Sequence, residues 1–378
     1  MAALEEIGEI LQETFRWLHR HPELSYEEVE TTKRLRQVLQ AHDVAILDSG
    51  LPTGLVAEVG TDGPVIALRA DIDALPVTEE TGLPYASEIP GHMHACGHDF
   101  HTSALLGAAL LLKRKEHELQ GRVKLVFQPA EEAPGGAKKV LETGLLQDVC
   151  AIFGMHVSPR LPVGTLGLRA GAVTASVDRF QITFRGQGTH AAHPDVGIDP
   201  IPAAAAFIQA AQTIVSRNLN PFAAGLVSIT HVEGGNTWNV IPSTVLVEGT
   251  TRSLGKEERQ LIRENLCRLA ERIAEGHGAQ AEIDWYEGPP ATDNAPEWIE
   301  VARQAAKEQS LEVVEAPASL AGEDFAYYQE QLPGAFVLVG TGHSFSNHHP
   351  KFQLDPAALQ PAAAFLARLA EEALRRKS

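Results

Sequence analysis

Val65-Ile66-Ala67-Leu68-Arg69-Ala70-Asp71-Ile72-Asp73 reads as a strand with a polar end attached. Five of its first six residues are apolar, so both faces need cover, as in a central strand of a sheet flanked by helices. The run then ends in two acids, and α/β sheets carry their sites just beyond the carboxyl ends of their strands. That arrangement recurs along the chain. A strand predicted at Val123–Phe127 runs into Gln128-Pro129-Ala130-Glu131-Glu132, and one predicted at Ala151–Met155 stops at His156. Incidental acids and histidines would not fall at three strand ends in turn.

Between the first two of these strands lies His92-Met93-His94-Ala95-Cys96-Gly97-His98-Asp99-Phe100-His101. It holds four histidines and one cysteine, in a chain with 16 His and 3 Cys overall. A thiolate and an imidazole two residues apart suit a metal, with Gly97 free to turn the backbone so that both reach one point.

Working outward, Ile7, Ile10, Leu11, Phe15 and Leu18 mark one face of a helix over Leu4–His19. Ser25 and Glu28 read as a capping box that opens a second helix, to about Gln40. Leu55–Val59 is a further strand, and helices are expected at Thr102–Arg114 and Gly136–Glu142. Strands alternating with helices predict an α/β fold, a mixed sheet with helices on both faces. Near Val173 to Asp178 the character changes to β-α-β-β-α-β: strands at Phe180–Phe184, Val227–Val232, Val245–Thr251 and Ala281–Tyr286, helices at Pro200–Arg217 and Lys256–Glu275. This is the order of a ferredoxin-like α+β sandwich, inserted over 178–290. Gly288-Pro289-Pro290 is the return hinge, so the first domain is discontinuous, 1–177 and 291–378. Its second part begins with a helix over Pro296–Gln309 and a strand over Leu311–Glu315. A helix from about Glu323, a strand over Ala335–Val339 and a helix from Pro356 follow. The insert is expected to serve as a lid or a dimer-forming module.

Composition narrows the class. The 378 residues exceed what one core usually organises, and 44% hydrophobic with 21% charged residues is a globular balance. A net charge of −18, from 31 basic and 49 acidic residues, argues against nucleic acid and against anionic membrane surfaces. It also means that an anionic substrate needs a specific cation in its pocket. The acidic start Met1-Ala2-Ala3-Leu4-Glu5-Glu6 lacks a signal-peptide pattern, and Cys96, Cys150 and Cys267 fit reduced thiols better than a disulfide framework. A cytoplasmic protein is expected.

Cys96, His98, Glu132, His156 and His348 form a set of S, N and O donors drawn from four loops. Such a set suits Zn first and leaves Mn, Co or Ni open. Five donors exceed what a single catalytic ion with three protein ligands uses, so two divalent metal ions sharing a ligand fit better. Of the neighbours Glu131 and Glu132, one can ligate while the other acts as general base. Asp73 and Asp99 suit the orienting of a histidine ligand or of the metal's water. In the insert, Gly186-Gln187-Gly188-Thr189-His190 is a glycine-rich turn presenting a histidine. Asn239 and Arg252 fall near predicted strand ends.

Taken in order, Arg69-Ala70-Asp71-Ile72-Asp73-Ala74-Leu75-Pro76, His94-Ala95-Cys96-Gly97-His98-Asp99, Glu131-Glu132, Gly188-x-His190-Ala191-Ala192, Asn239-Val240-Ile241-Pro242, Gly249-Thr250-x-Arg252, Gly322-Glu323-Asp324-Phe325 and His348-His349-Pro350 resemble the M20 metallopeptidase family, in its N-acyl-amino-acid amidohydrolase branch. The resemblance implies a zinc-peptidase-like catalytic domain with a binuclear site. Cys96, His98, Glu132, His156 and His348 would be its ligands, Cys96 the bridge and Glu131 the general base. It also implies a homodimer formed through the insert. On this reading the chain hydrolyses N-acyl-L-amino acids, with His190 stabilising the oxyanion and Asn239 and Arg252 holding the substrate carboxylate. A carboxypeptidase or dipeptidase with the same site, and a non-catalytic metal-dependent binding protein, are the alternatives. Against the second stands Glu131, since a pure binder has no use for a base.

Overall fold

The computed structural model describes residues 2–342 and 344–377. The chain divides into two compact units, one of residues 1–173, 293–317 and 324–378 and the other of residues 174–292 and 318–323.

The first unit is built on an eight-stranded mixed sheet. In spatial order its strands are Ala45–Leu47, Leu55–Gly60, Arg122–Gln128, Val65–Asp71, Val149–Ser158, Gly334–Gly340, Thr165–Leu168 and Glu312–Glu315. The strand Val65–Asp71 is buried along its whole length and pairs in parallel with both neighbours. Its side chains divide by alternation. Ile66, Leu68 and Ala70 join the core beneath the long helices, whereas Val65 and Ala67 join a second core on the opposite face. Double cover explains why the strand carries almost no polar residue before Asp71. Arg69 is the exception, and its charge is satisfied by carboxylates described below.

Helices Ala2–Arg20, His98–Arg114 and Leu359–Lys377 pack together over the first face. At Gly107 a Cβ would lie 2.8 Å from Leu11 and 2.9 Å from Ala363, so the closeness of these helices requires glycine. The other side is covered by Gly136–Glu142 and the short helix Ala326–Gln329. Among the described residues, no helix is long and apolar enough to cross a membrane.

Several elements differ from the sequence reading. Ser25 does not cap a helix: its hydroxyl donates to Asp73 Oδ2 at 2.7 Å, and the helix begins at Val29, where the Glu23 carboxylate accepts the Glu30 and Thr31 N–H groups at 3.1 and 2.7 Å. The helix expected from Thr102 starts at His98, because Gly97 takes a left-handed φ of +91° immediately before it. His156 lies within the strand Val149–Ser158 and not beyond its end. The helix expected from Glu323 is the single turn Ala326–Gln329, since the carboxylate of Asp324 is engaged elsewhere.

The second unit has a four-stranded antiparallel sheet ordered Gly225–Gly234, Thr244–Ser253, Ser176–Arg185 and Gln280–Glu287. Helices Pro200–Thr213 and Lys256–Gly276 cover one face, burying Phe180, Ile182, Phe184, Phe207 and Ile262 in one cluster. Asp199 caps the first of these helices, accepting from the Ile201 N–H at 3.0 Å. A separate two-stranded ribbon pairs Thr189–His190 with Val240–Ile241.

Candidate metal centre and the groups around it

The left-handed Gly97 sets the geometry of the Cys96–His98 pair. A Cβ there would come within 2.6 Å of Val157 Cγ2, so only glycine permits both the turn and the approach to the strand that carries His156. Cys96 Sγ lies 3.3 Å from His156 Nε2. His98 sits at the first turn of its helix and is 1% exposed. Its Nε2 is 4.0 Å from Glu132 Oε1, which in turn is 3.1 Å from His348 Nε2. Two of these donors stand in left-handed or left-handed-flanked backbone: His348 has φ +67°, and Ala130, before the Glu131–Glu132 pair, has φ +53°. Non-glycine residues adopt that region rarely and at a cost, so such loops are over-determined by their surroundings.

All five residues of the proposed ligand set therefore meet in the first unit. They do so as two triads: the donor atoms of Cys96, His98 and His156 lie within 4.8 Å of one another, as do those of Cys96, Glu132 and His348. Cys96 belongs to both. Buried polar atoms normally have partners, yet His98 Nε2 has no hydrogen-bond partner among the described residues, and Glu132 Oε1, 3.1 Å from His348 Nε2, forms no well-aligned bond. An orphaned imidazole nitrogen 4.0 Å from a carboxylate oxygen, beside a thiol, fits a cation among lone-pair donors. Burial drives the Cys96 thiol well above its ordinary range. A coordinating cation reverses that effect outright.

The surroundings fix the ring orientations. Asp73 Oδ1 is 3.2 Å from His98 Nδ1 and also accepts the Glu131 N–H at 3.1 Å, while its Oδ2 accepts the Glu132 N–H at 3.0 Å. One carboxylate thus holds the His98 imidazole and the backbone of the glutamate pair. Burial opposes charge on His98, but Asp71 and Asp73 outweigh it and raise the ring's pKa well above the ordinary value. Burial likewise opposes ionisation of Glu132, but the His348 and His98 rings prevail and lower it.

Three sets of interactions around these donors are not legible in the sequence. His101 donates from Nδ1 to Asp71 Oδ1 at 2.6 Å and accepts the Val157 N–H on Nε2 at 2.9 Å, and burial keeps it neutral, with a pKa lowered to about 4. The clue was its spacing, three residues after His98 on one helix. Asp99, expected to orient a histidine ligand or the metal's water, instead lies 2.6 Å from His19 Nδ1. Glu79 is 3.3 Å from the other nitrogen of that ring. Burial opposes the charge, but the two carboxylates prevail and raise His19 to about 9. Arg69 donates to both Asp71 and Asp324.

In the second unit, His190 is exposed on the ribbon, and its Nδ1 accepts the Ala192 N–H at 3.0 Å. Val240, the residue after Asn239, pairs with His190, and Asn239 O accepts the Ala191 N–H at 3.0 Å. The ribbon therefore carries both His190 and Asn239. Arg252 bonds only Thr250 Oγ1 and Thr251 O, and it has no ion pair among the described residues.

The sequence model of the peptidase family M20/M25/M40 matches residues 67–372. The chain belongs to this family. An M20 relative from Bacillus subtilis, N-acetylcysteine deacetylase, is 51% identical over 356 residues, covering 93% of this chain and 94% of its own length. The Arabidopsis thaliana IAA-amino acid hydrolase ILR1-like 5 is 41% identical over 367 residues, covering 94% and 84% respectively. In three dimensions the chain superposes on a dinuclear metal binding M20 peptidase of Bacillus subtilis with a TM-score of 0.90. That structure is 47% identical, and 98% of this chain and 99% of that one are covered. This M20 member is accordingly a metal-dependent hydrolase of mixed α/β fold.

Proposed function

We infer that this protein hydrolyses the amide bond of N-acyl-L-amino acids, releasing a carboxylate and a free amino acid. The observation that carries the reading is the pair of donor triads sharing Cys96, with Glu131 next to the ligand Glu132. Cys96, His98, Glu132, His156 and His348 would hold two divalent cations, Zn, Mn, Co or Ni, with Cys96 as the bridge. When bound, such ions act as Lewis acids and lower the pKa of water toward neutrality.

Glu131 takes the proton of the attacking water and delivers it to the departing amine nitrogen. Its backbone is anchored on Asp73 and its Oε1 accepts the Asp324 N–H at 3.3 Å, so the base is oriented before substrate arrives. His190 donates to the oxyanion. Arg252 pairs with the substrate α-carboxylate, with Asn239 assisting. A guanidinium without an ion pair in a chain of net charge −18 supports that role.

We further propose a homodimer formed through the second unit, with His190 serving the partner's centre. Supporting it, Gly225–Gly234 is an edge strand whose residues 231–234 are exposed, and Phe222 and Trp238 are 99% and 92% exposed. An uncovered edge and large apolar side chains are features that a second copy would cover. A cytoplasmic location accords with the acidic composition.

The test is turnover of N-acetyl and N-benzoyl amino acids, alongside short peptides, by chelated and metal-reloaded protein. Reloaded protein should cleave the N-acyl amino acids and chelated protein none. Turnover unaffected by chelation, or confined to peptides, would sink the reading.

A further inference from the structure

Arg69 is a buried guanidinium in the middle of an otherwise apolar strand, and it reaches in two directions. Nη1 donates to Asp71 Oδ2 at 2.7 Å, Nη2 to Asp324 Oδ1 at 2.7 Å, and Nε to Gln128 Oε1 at 2.8 Å. The Asp71 arm continues to His101 and lies 3.8 Å from His98 Nε2. On the other arm the carboxylate of Asp324 is fully engaged. It accepts Gln128 Nε2 on both oxygens, at 2.9 and 2.8 Å, and the Ala137 N–H at 2.9 Å. Tyr328 holds Gln128 in turn, donating to its Oε1 at 2.8 Å. The main-chain N–H of the same Asp324 faces Glu131 Oε1 at 3.3 Å.

We propose that Arg69 and Asp324 are positioning residues, which hold the Asp324 amide against the Glu131 carboxylate and so fix the attitude of the base. Stability alone does not account for the assembly, because buried ion networks can usually be replaced by apolar side chains without loss. What this network supplies is a rigid lever. Its fulcrum is the strand end beside the His98 imidazole, and its tip is an amide aimed at a carboxylate that must point at one water. A misplacement of about 1 Å at such a group can cost about 10²-fold in rate. The inference rests on Glu131 being the general base.

Asp324→Asn keeps the main-chain N–H and the side-chain shape, but sets an NH₂ among donors and weakens the pull of Arg69. In metal-loaded protein with an N-acetyl amino acid, kcat should fall about 10- to 100-fold, while KM and bound metal per chain stay level. Arg69→Lys, which keeps the charge but loses the two-sided fork, should give the same split and serves if the Asn variant does not fold. The deciding measurement repeats the substitution on Glu131→Gln, where the lever has nothing left to position, so no further loss is expected. An equal penalty in both backgrounds, an unchanged kcat, or a loss of metal in place of kcat overturns the inference. Full activity in Glu131→Gln by itself overturns the reading of Glu131, and this inference with it.

Discussion

His98 is 1% exposed with a carboxylate 3.2 Å from one ring nitrogen, whereas His190 is exposed and its ring accepts an amide two residues along the chain. The same contrast separates the two arginines. Arg69 is enclosed by Asp71, Asp324 and Gln128, while among the described residues the Arg252 guanidinium bonds Thr250 and Thr251. The first unit holds its functional groups with long-range bonds made inside its own core, so their geometry is settled when that unit folds. The second unit presents groups whose hydrogen bonds come from residues close by in sequence.

The largest effects should come from the enclosed side. Glu131→Gln is expected to lower turnover about 10²- to 10⁴-fold and to retain its metal, whereas Glu132→Gln should lose metal as well. Metal analysis of the two purified variants separates them. Equal loss of metal would mean that the neighbours share one role.

The exposed side predicts a different behaviour, complementation. If His190 serves the partner's centre, refolding Glu131→Gln together with His190→Ala leaves each mixed dimer one intact site. Random pairing then restores roughly a quarter of wild-type activity from two nearly inactive parents. With subunit exchange shown independently, an inactive mixture would place His190 in its own subunit's service and weaken the contrast drawn here.

The smallest effect concerns stability. His19 has a folded pKa of about 9, raised from 6.5. Its protonation therefore stabilises the fold fully below about pH 6.5, and the contribution is lost as pH rises through about 9. His19→Gln should be less stable than wild type at about pH 6, by at most about 3 kcal/mol, with the gap closing above about pH 9. Denaturant unfolding at both pH values measures it.

How far the sequence foretells these differences depends on the range of the interaction. Val65–Ala70 is readable because burial on both faces leaves an apolar run, and Cys96, His98 and Glu131–Glu132 because short spacing puts donors together. Ser25 misleads, since a residue of capping type bonds Asp73, 48 positions away. The tie from Arg69 to Asp324 spans 255 positions, and no periodicity signals it. His156 was placed past a strand end because a polar residue in an apolar run looks like a terminus, yet the strand continues to Ser158.

The strand order carries a consequence for biosynthesis. Gly334–Gly340 lies between Val149–Ser158, which bears His156, and Thr165–Leu168. The whole segment 174–292 separates it in sequence from both neighbours. As the chain leaves the ribosome, the second unit has all four strands of its sheet long before the first unit receives this one. Until then the edge of Val149–Ser158 stays open, and a nascent chain exposes it to association with other chains. His348 emerges later still, so the donor set is complete only after the insert has had time to fold.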